Sequence, residues 1–337
     1  MIQMIQWILF IYENFINFEF KGSLVENAII LMNMGGASNY NEIEIFMKNM
    51  FNDHRIIGAP PFIRKNLANY ITKTRLPEVK ENYEKIGGGS PLLSITKSLQ
   101  KKLQDRIDDA KVEIIMRYTP PFAKDILTRL KGEGIKKLYL IPMYPQFSTT
   151  TTASSIEDIR TAAKDMGYHP TIVSHLYYYD FKPFLEAVEE RIIEGVGNDD
   201  PKSLNLIFSA HGLPVRVIKR GDPYQKQVEA EVALHVERLK QRGVEFNQVH
   251  LAYQSKVGPL KWLTPSLERV LEEIKNRKAL IYPIAFTIDN SETLFELDIE
   301  YRHLAEKLGF KSYKVCRCPN DSDSFVRAIE ALYRQMK

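Results

Sequence analysis

Cysteine is nearly absent from this sequence. Only Cys316 and Cys318 occur among its 337 residues, in the string Val315-Cys316-Arg317-Cys318-Pro319. One intervening residue is poor spacing for a disulfide, and two thiolates are half the ligands of a four-cysteine cluster. Two reduced thiols near a strand end, in a reducing compartment, fit that arithmetic. An excess of either charge is also lacking, since 46 Lys and Arg against 42 Asp and Glu leave +4. There is no dense basic cluster interleaved with aromatics, so a nucleic-acid groove is not expected. The mild basic bias suits anionic small molecules and a lipid surface equally. Several catalytic signatures are missing as well: no Walker A loop, no nucleophile elbow, no HExxH and no paired CxxC.

Long apolar runs are missing everywhere but at the start. Residues 1–20, MIQMIQWILFIYENFINFEF, are strongly apolar, yet they have no basic n-region and no small-residue cleavage site. A secretory signal is therefore not expected. Glu13 and Asn14 interrupt the run, which falls short of the ~20 clean residues of a membrane span. A membrane-surface helix, a helix packed on the body and non-native sequence from an upstream start codon all remain open for residues 1–24.

What the sequence does contain is alternation. Short apolar runs at 25–33, 112–117, 136–142, 170–176, 204–209, 247–252, 279–284 and 311–315 read as buried strands. Helical patterns lie between them, at 40–50, 61–72, 75–85, 91–107, 121–131, 153–166, 182–194, 223–242, 264–275 and 291–307, with a last one at 321–336. Buried strands alternating with helices predict α/β architecture with parallel sheets covered on both faces. The length suits two domains of about 150 residues. Two Rossmann-like four-stranded domains are expected, at 25–168 and 169–315, with residues 316–337 forming a terminal helix that packs back on the first.

Ligands of open α/β sheets bind outside the carboxyl ends of the strands. The strand-end loops are where unusual residues gather. Phe208-Ser209-Ala210-His211-Gly212-Leu213-Pro214 throws an imidazole onto a loop, where it can take a proton or meet a metal. On the sequence alone a structural hydrogen bond explains His211 equally well. The other histidines, at 54, 169, 175, 235, 250 and 303, show no metal-ligand spacing. Asp289, Glu292, Glu296 and Glu300 follow the spacing i, i+3, i+7, i+11, which predicts carboxylates on one helix face. Such a row offers hard oxygen ligands and proton acceptors to a divalent cation. A solvated acidic face, with Glu292 favourable at the helix N-terminus, accounts for the same spacing.

Other strand ends carry aromatic and polar residues: Asn33-Met34-Gly35-Gly36, Arg117-Tyr118, Tyr144 to Thr152, and Gln254-Ser255-Lys256-Val257-Gly258-Pro259-Leu260-Lys261-Trp262. Arg117 could grip a carboxylate in bidentate fashion. Together these loops describe an apolar cleft with anion-gripping rims.

Eight strings then stand in order along residues 25–337. They are Leu31-Met32-Asn33-Met34-Gly35-Gly36, Ile86-Gly87-Gly88-Gly89-Ser90-Pro91, Met116-Arg117-Tyr118, Tyr144-Pro145-Gln146-Phe147-Ser148, Phe208-Ser209-Ala210-His211, Arg220-Gly221-Asp222-Pro223-Tyr224, Gln254-Ser255-Lys256-Val257-Gly258-Pro259 and Asp289-Asn290-Ser291-Glu292-Thr293-Leu294. In content, order and spacing the chain resembles the ferrochelatases. The resemblance implies two chelatase-type domains with a porphyrin between them, and insertion of Fe²⁺ into protoporphyrin IX with release of two protons. It implies His211 and Glu292 as the catalytic and metal-contacting pair, with Asp289, Glu296 and Glu300 as an outer acidic path. It implies Met34, Arg117, Tyr118, Tyr224, Trp262 and Phe286 around the macrocycle and Ser90 near a propionate.

Two departures from the family pattern stand out. Asn290 occupies a position that is His in many members, and two cysteines leave no iron–sulfur cluster to expect. Iron is then a substrate, and no permanently bound cofactor is expected. Protoporphyrin is favoured over coproporphyrin by the resemblance and not by the residues. A cytoplasmic monomer or weak homodimer is expected, with peripheral contact at the inner membrane face compatible with the charge bias. The competing readings are a chelatase for another metal or tetrapyrrole, a non-enzymatic porphyrin carrier, and a nucleotide-binding protein using Asn33-Met34-Gly35-Gly36. The carrier has no use for an acidic row, and the nucleotide binder lacks an acidic ribose partner.

Overall fold

The strands form two separate sheets with the same topology. In a computed structural model that describes residues 25–337 except Val257 and Pro259, the first sheet contains β1 (Asn27–Asn33), β2 (Lys111–Met116), β3 (Lys137–Pro142) and β4 (Thr171–Ser174). The second contains β5 (Asn205–His211), β6 (Gln248–Gln254), β7 (Lys278–Tyr282) and β8 (Ser312–Val315). Strand order is β2-β1-β3-β4 in one and β6-β5-β7-β8 in the other, with every named pairing parallel. The architecture is thus duplicated although no sequence repeat announces it. Residues 1–24, and the expectations attached to them, lie outside the described residues. Among the described residues no helix is long and apolar enough to cross a membrane.

Central strands read as unbroken apolar runs because helices cover both faces. Ala28 to Met32 of β1 and Leu206 to Phe208 of β5 are fully buried. Each such Ile, Leu or Phe contributes roughly 1.5–3 kcal/mol by leaving water. One core joins the domains: Ile29 and Leu31 of the first sheet share it with Leu206 and Leu280 of the second, through Phe325, Ile329, Leu332 and Tyr333 of the terminal helix Asp323–Met336. That helix is also tied to the first domain by Arg106–Glu330 at 2.6 Å and by the Tyr333 hydroxyl donating to Asp109 at 3.1 Å.

Three sequence expectations change. The strand expected at 170–176 falls in the second domain of the expected division, but β4 pairs with β3, so the first sheet extends through Ser174 and the boundary at 168 is too early. The helix Thr152–Asp165 is the crossover between β3 and β4, and a short crossover lays the next parallel strand beside the last. The two helices expected at 61–72 and 75–85 are one, Pro61–Lys85, which runs through Pro77. Packing of Ala68, Thr72 and Tyr83 outweighs the hydrogen bond that Pro77 forfeits. Finally, the helix expected at 291–307 begins as a π-helix, Glu292–Glu300, and becomes α-helical only over Tyr301–Lys307. Wider i→i+5 turns of this kind are frequent at functional sites.

In each sheet the order reverses beside the first strand, between β1 and β3 and between β5 and β7. Those switch points open crevices at the carboxyl ends. The two crevices face each other. Met143, just beyond β3, accepts a bond from Thr287 Oγ1 beyond β7 at 3.0 Å, and Gln146 Nε2 donates to the Ile284 carbonyl at 3.0 Å.

Candidate active site

His211 is the last residue of β5, one step past the buried Ala210, and its side chain keeps 37% of its surface exposed. The next residue must be glycine. Gly212 N–H donates to the Gln254 carbonyl at 2.8 Å, and a Cβ there would lie 2.7 Å from that oxygen. The backbone beyond it runs beside 261–263, with Val215 N–H donating to Lys261 O and Leu263 N–H to Leu213 O. Trp262 is thereby set against the His211 loop. Tyr224, buried at the start of the helix Tyr224–Gln241, donates its hydroxyl to the His211 carbonyl at 2.9 Å.

Glu292 comes from the β7 side. After Tyr282 the chain runs through Ile284 to Asn290 and enters the π-helix. Asn290 starts that helix: its Oδ1 accepts the Glu292 N–H at 2.8 Å, and its Nδ2 donates to the Ile288 carbonyl at 3.1 Å. Asn290 therefore caps the helix end, and its side chain faces local backbone. The cap leaves the Glu292 carboxylate free to reach across, where its Oε2 lies 2.8 Å from His211 Nδ1. The Glu292 side chain is 26% exposed, so both partners border open space.

Ser255, just past β6, ties a second carboxylate to this pair. Its N–H donates to Glu296 Oε1 at 2.7 Å, its Oγ lies 3.1 Å from Glu292 Oε2, and Oγ also makes a short contact with Glu296 Oε2. Ser255 holds φ at +64°, a left-handed conformation uncommon outside glycine and retained where the surroundings impose it. A serine hydroxyl has one hydrogen to donate. Donated to Glu292, that hydrogen leaves the short Glu296 contact to be made by a proton on Glu296. Electrostatics agree: burial and then the Glu292 charge push the Glu296 carboxyl up to about 7. Burial pulls the His211 imidazole down, but the Glu292 charge and hydrogen bond, with Glu296 behind, outweigh it and raise it above its ordinary value. Burial pushes Glu292 up, and the His211 charge and hydrogen bond, with the hydrogen bond from Ser255, bring it below its ordinary value. The four groups form one continuous chain of contacts, running His211, Glu292, Ser255, Glu296.

The structure does not unite every residue expected here. Asp289 accepts from Cys318 N–H at 3.1 Å and Asn320 Nδ2 at 2.6 Å, so its carboxylate serves the loop after β8 and is not part of the acidic path. It precedes the helix, so helical spacing does not apply to it. Glu300 is exposed at the far end of the π-helix. The acidic path therefore consists of Glu292 and Glu296. Arg117 is committed to carboxylates, at 3.3 Å from Asp53 and 3.2 Å from Asp158, and donates to Ser154 at 2.9 Å. The Tyr118 hydroxyl donates to Asp53 at 2.8 Å from a buried position. Ser90 is buried against Gly36, with its N–H donating to Ala37 O at 2.7 Å. Met34 and Phe286 are half-buried at the ends of β1 and β7. Both cysteines are free and buried. Among the described residues no group of three or more His, Cys, Asp or Glu is placed to hold a metal ion.

Comparison with known proteins decides the family. The Ferrochelatase family model matches residues 26–337. The chain belongs to the ferrochelatase family. It is 48% identical to the ferrochelatase of Sulfurimonas denitrificans, over 93% of this chain and 99% of that one. It is 47% identical to that of Nitratiruptor sp., over 92% and 99%. It is 46% identical to that of Wolinella succinogenes, over 92% and 99%. Among solved structures, SirB from Bacillus subtilis with Fe³⁺ has a TM-score of 0.55 and 13% identity, covering 92% of this chain and 95% of that one. That likeness concerns the two-domain fold alone. As a ferrochelatase the protein is an enzyme with porphyrin and iron as substrates, inserting iron into protoporphyrin at the final step of haem synthesis.

Three participants in this ferrochelatase site escape a reading of the sequence. Ser255 stands within the quoted string Gln254-Ser255-Lys256 but carries no chemical signal of its own. Asp53 lies in a loop after the first helix, with nothing to mark it as the anchor of Arg117 and Tyr118. Asp222 opens the Tyr224 helix, and only its place in Arg220-Gly221-Asp222-Pro223-Tyr224 sets it apart.

Proposed function

We propose that His211 and Glu292 carry the insertion step. The observation supporting this is the 2.8 Å contact between His211 Nδ1 and Glu292 Oε2 at the β5/β7 switch point. A free-base porphyrin holds two pyrrole protons that must leave as Fe²⁺ enters. Nδ1 faces Glu292, which leaves Nε2 to meet the macrocycle. A neutral imidazole there accepts a pyrrole proton, and the adjacent carboxylate stabilises the imidazolium that forms. Once Glu296 releases its own proton to solvent and the Ser255 hydroxyl turns from Glu292 to Glu296, the proton passes from His211 through Glu292 and Ser255 to Glu296. Tyr224, Trp262, Met34 and Phe286 border the crevice as walls for a flat apolar ring. Rigid walls that favour a puckered ring expose the pyrrole lone pairs, with strain offset by binding elsewhere on the macrocycle. Arg117 and Tyr118, being tied to Asp53, shape the wall rather than grip a propionate. Iron is a substrate in this reading, and no iron–sulfur cluster takes part.

Anaerobic Fe²⁺ mixed with protoporphyrin IX and the protein is expected to give the absorbance spectrum of haem at an enzyme-dependent rate. Porphyrin binding without conversion would instead establish a carrier. Conversion of coproporphyrin at a much higher kcat/KM than protoporphyrin would move the substrate assignment.

The reading includes a cytoplasmic enzyme, a monomer or weak homodimer, in peripheral contact with the inner membrane. Support for the membrane contact is the helix Pro61–Lys85, where Phe62 is 70% exposed and Tyr70 67%, beside Arg64, Lys65, Lys73 and Arg75, with no acid from 61 to 77. Apolar and cationic side chains on one exposed helix suit an anionic lipid surface. Co-sedimentation with vesicles containing phosphatidylglycerol is expected, and F62S/Y70S is expected to weaken it several-fold. Equal sedimentation of the variant would refute this placement.

A further inference from the structure

We propose that Asp222 is a positioning residue for His211, coupling the strap Gln146–Thr149 of the first domain to the histidine of the second through Tyr224. The inference rests on His211 being the base. Asp222 is buried, and among the described residues its carboxylate pairs with no cation. Four uncharged donors satisfy it instead. Its Oδ2 accepts from Ser148 Oγ at 3.0 Å, Thr149 N–H at 2.7 Å and Thr149 Oγ1 at 2.6 Å, and its Oδ1 accepts from Tyr224 N–H at 3.0 Å. Three of those donors belong to the other domain. A buried carboxylate is costly, and an apolar contact would join two surfaces more cheaply. What the carboxylate adds is direction: both oxygens are used, one toward each domain.

The chain of bonds does not stop at Tyr224 N–H. The hydroxyl of the same residue donates to the His211 carbonyl. Asp222 thus fixes the first turn of the Tyr224 helix, Tyr224 fixes the end of β5, and His211 is held at its distance from Glu292. The helix grips the strap twice more. Gln227 Oε1 accepts the Phe147 N–H at 2.7 Å, and Glu231 Oε2 accepts from Gln146 Nε2 at 2.6 Å. Of the three grips, only that of Asp222 continues to the histidine.

Asp222→Asn cannot reproduce this set. An amide has one acceptor oxygen, so either Thr149 N–H or Tyr224 N–H loses its partner. Misplacing a reacting group by about 1 Å costs on the order of a hundredfold in rate. Asn is expected to lower kcat about tenfold and Ala about a hundredfold, with KM for protoporphyrin within about twofold of wild type. Tyr224→Phe keeps the ring, removes only the bond to His211, and is expected to match D222N. The double variant D222N/Y224F is expected to be no slower than the slower single, because both break one chain. Y224F keeps the test informative where D222A does not fold. A kcat within twofold of wild type for D222N, multiplicative losses in the double variant, or a raised KM with unchanged kcat would each overturn the inference. His211→Ala in the same assay separates the two failures. An active H211A removes the reading beneath, whereas an inactive H211A beside a normal D222N removes only the role of Asp222.

Discussion

His211→Ala is expected to reduce haem formation by roughly a thousandfold while leaving protoporphyrin binding within a few-fold of wild type, the range of general-base contributions being about 10²–10⁴. The argument is geometric. His211 terminates β5 with its ring partly exposed, and its Nδ1 is occupied by Glu292, so Nε2 is the nitrogen left for a substrate. Alanine removes the base without removing a wall, since Trp262 and Tyr224 are positioned by backbone pairing and by the helix start. Quenching of porphyrin fluorescence measures binding, and anaerobic absorbance measures insertion. A variant that binds and metallates near the wild-type rate would show that the histidine is structural.

Glu292→Gln is expected to lower the plateau rate by about a hundredfold and to move the acid limb of the pH profile to lower pH. The direction follows from the balance at His211. Burial opposes the charged imidazolium, and Glu292 outweighs burial, so the imidazole holds its proton above its ordinary pH. A protonated imidazole cannot accept a pyrrole proton, so wild-type activity falls as pH drops through that raised value. Without the Glu292 charge, burial dominates and the imidazole loses its proton at lower pH, taking the acid limb with it. The plateau falls because the imidazolium formed during proton transfer is no longer stabilised. An acid limb that stays in place, or moves to higher pH, would contradict this coupling.

The sequence read well where one physical rule acted alone. Alternating apolar runs and helical patterns located both sheets, because parallel strands buried on both faces must be apolar throughout. His211 and Glu292 were visible as odd residues at strand ends, but spacing left them balanced against ordinary structural roles, and the ordered strings supplied the rest. What was illegible depended on long-range pairing. The partner of Thr171–Ser174 is set by a crossover helix and not by its own residues. Asp289 fits the spacing of the acidic row but precedes the helix start, where that spacing has no force, and Asn320 and Cys318 decide its direction. Arg117 looked free to grip a carboxylate of a ligand, and Asp53, distant in sequence, already occupies it. A 3.6-residue template is blind to the π-helical turns that carry Glu292 and Glu296.

The initial rate of haem formation in a double-mutant cycle of H211A and E292Q tests the central claim most directly. If the two residues act as one proton-handling unit, the double variant is no slower than the slower single variant. Losses that multiply would show two independent contributions and would contradict the account.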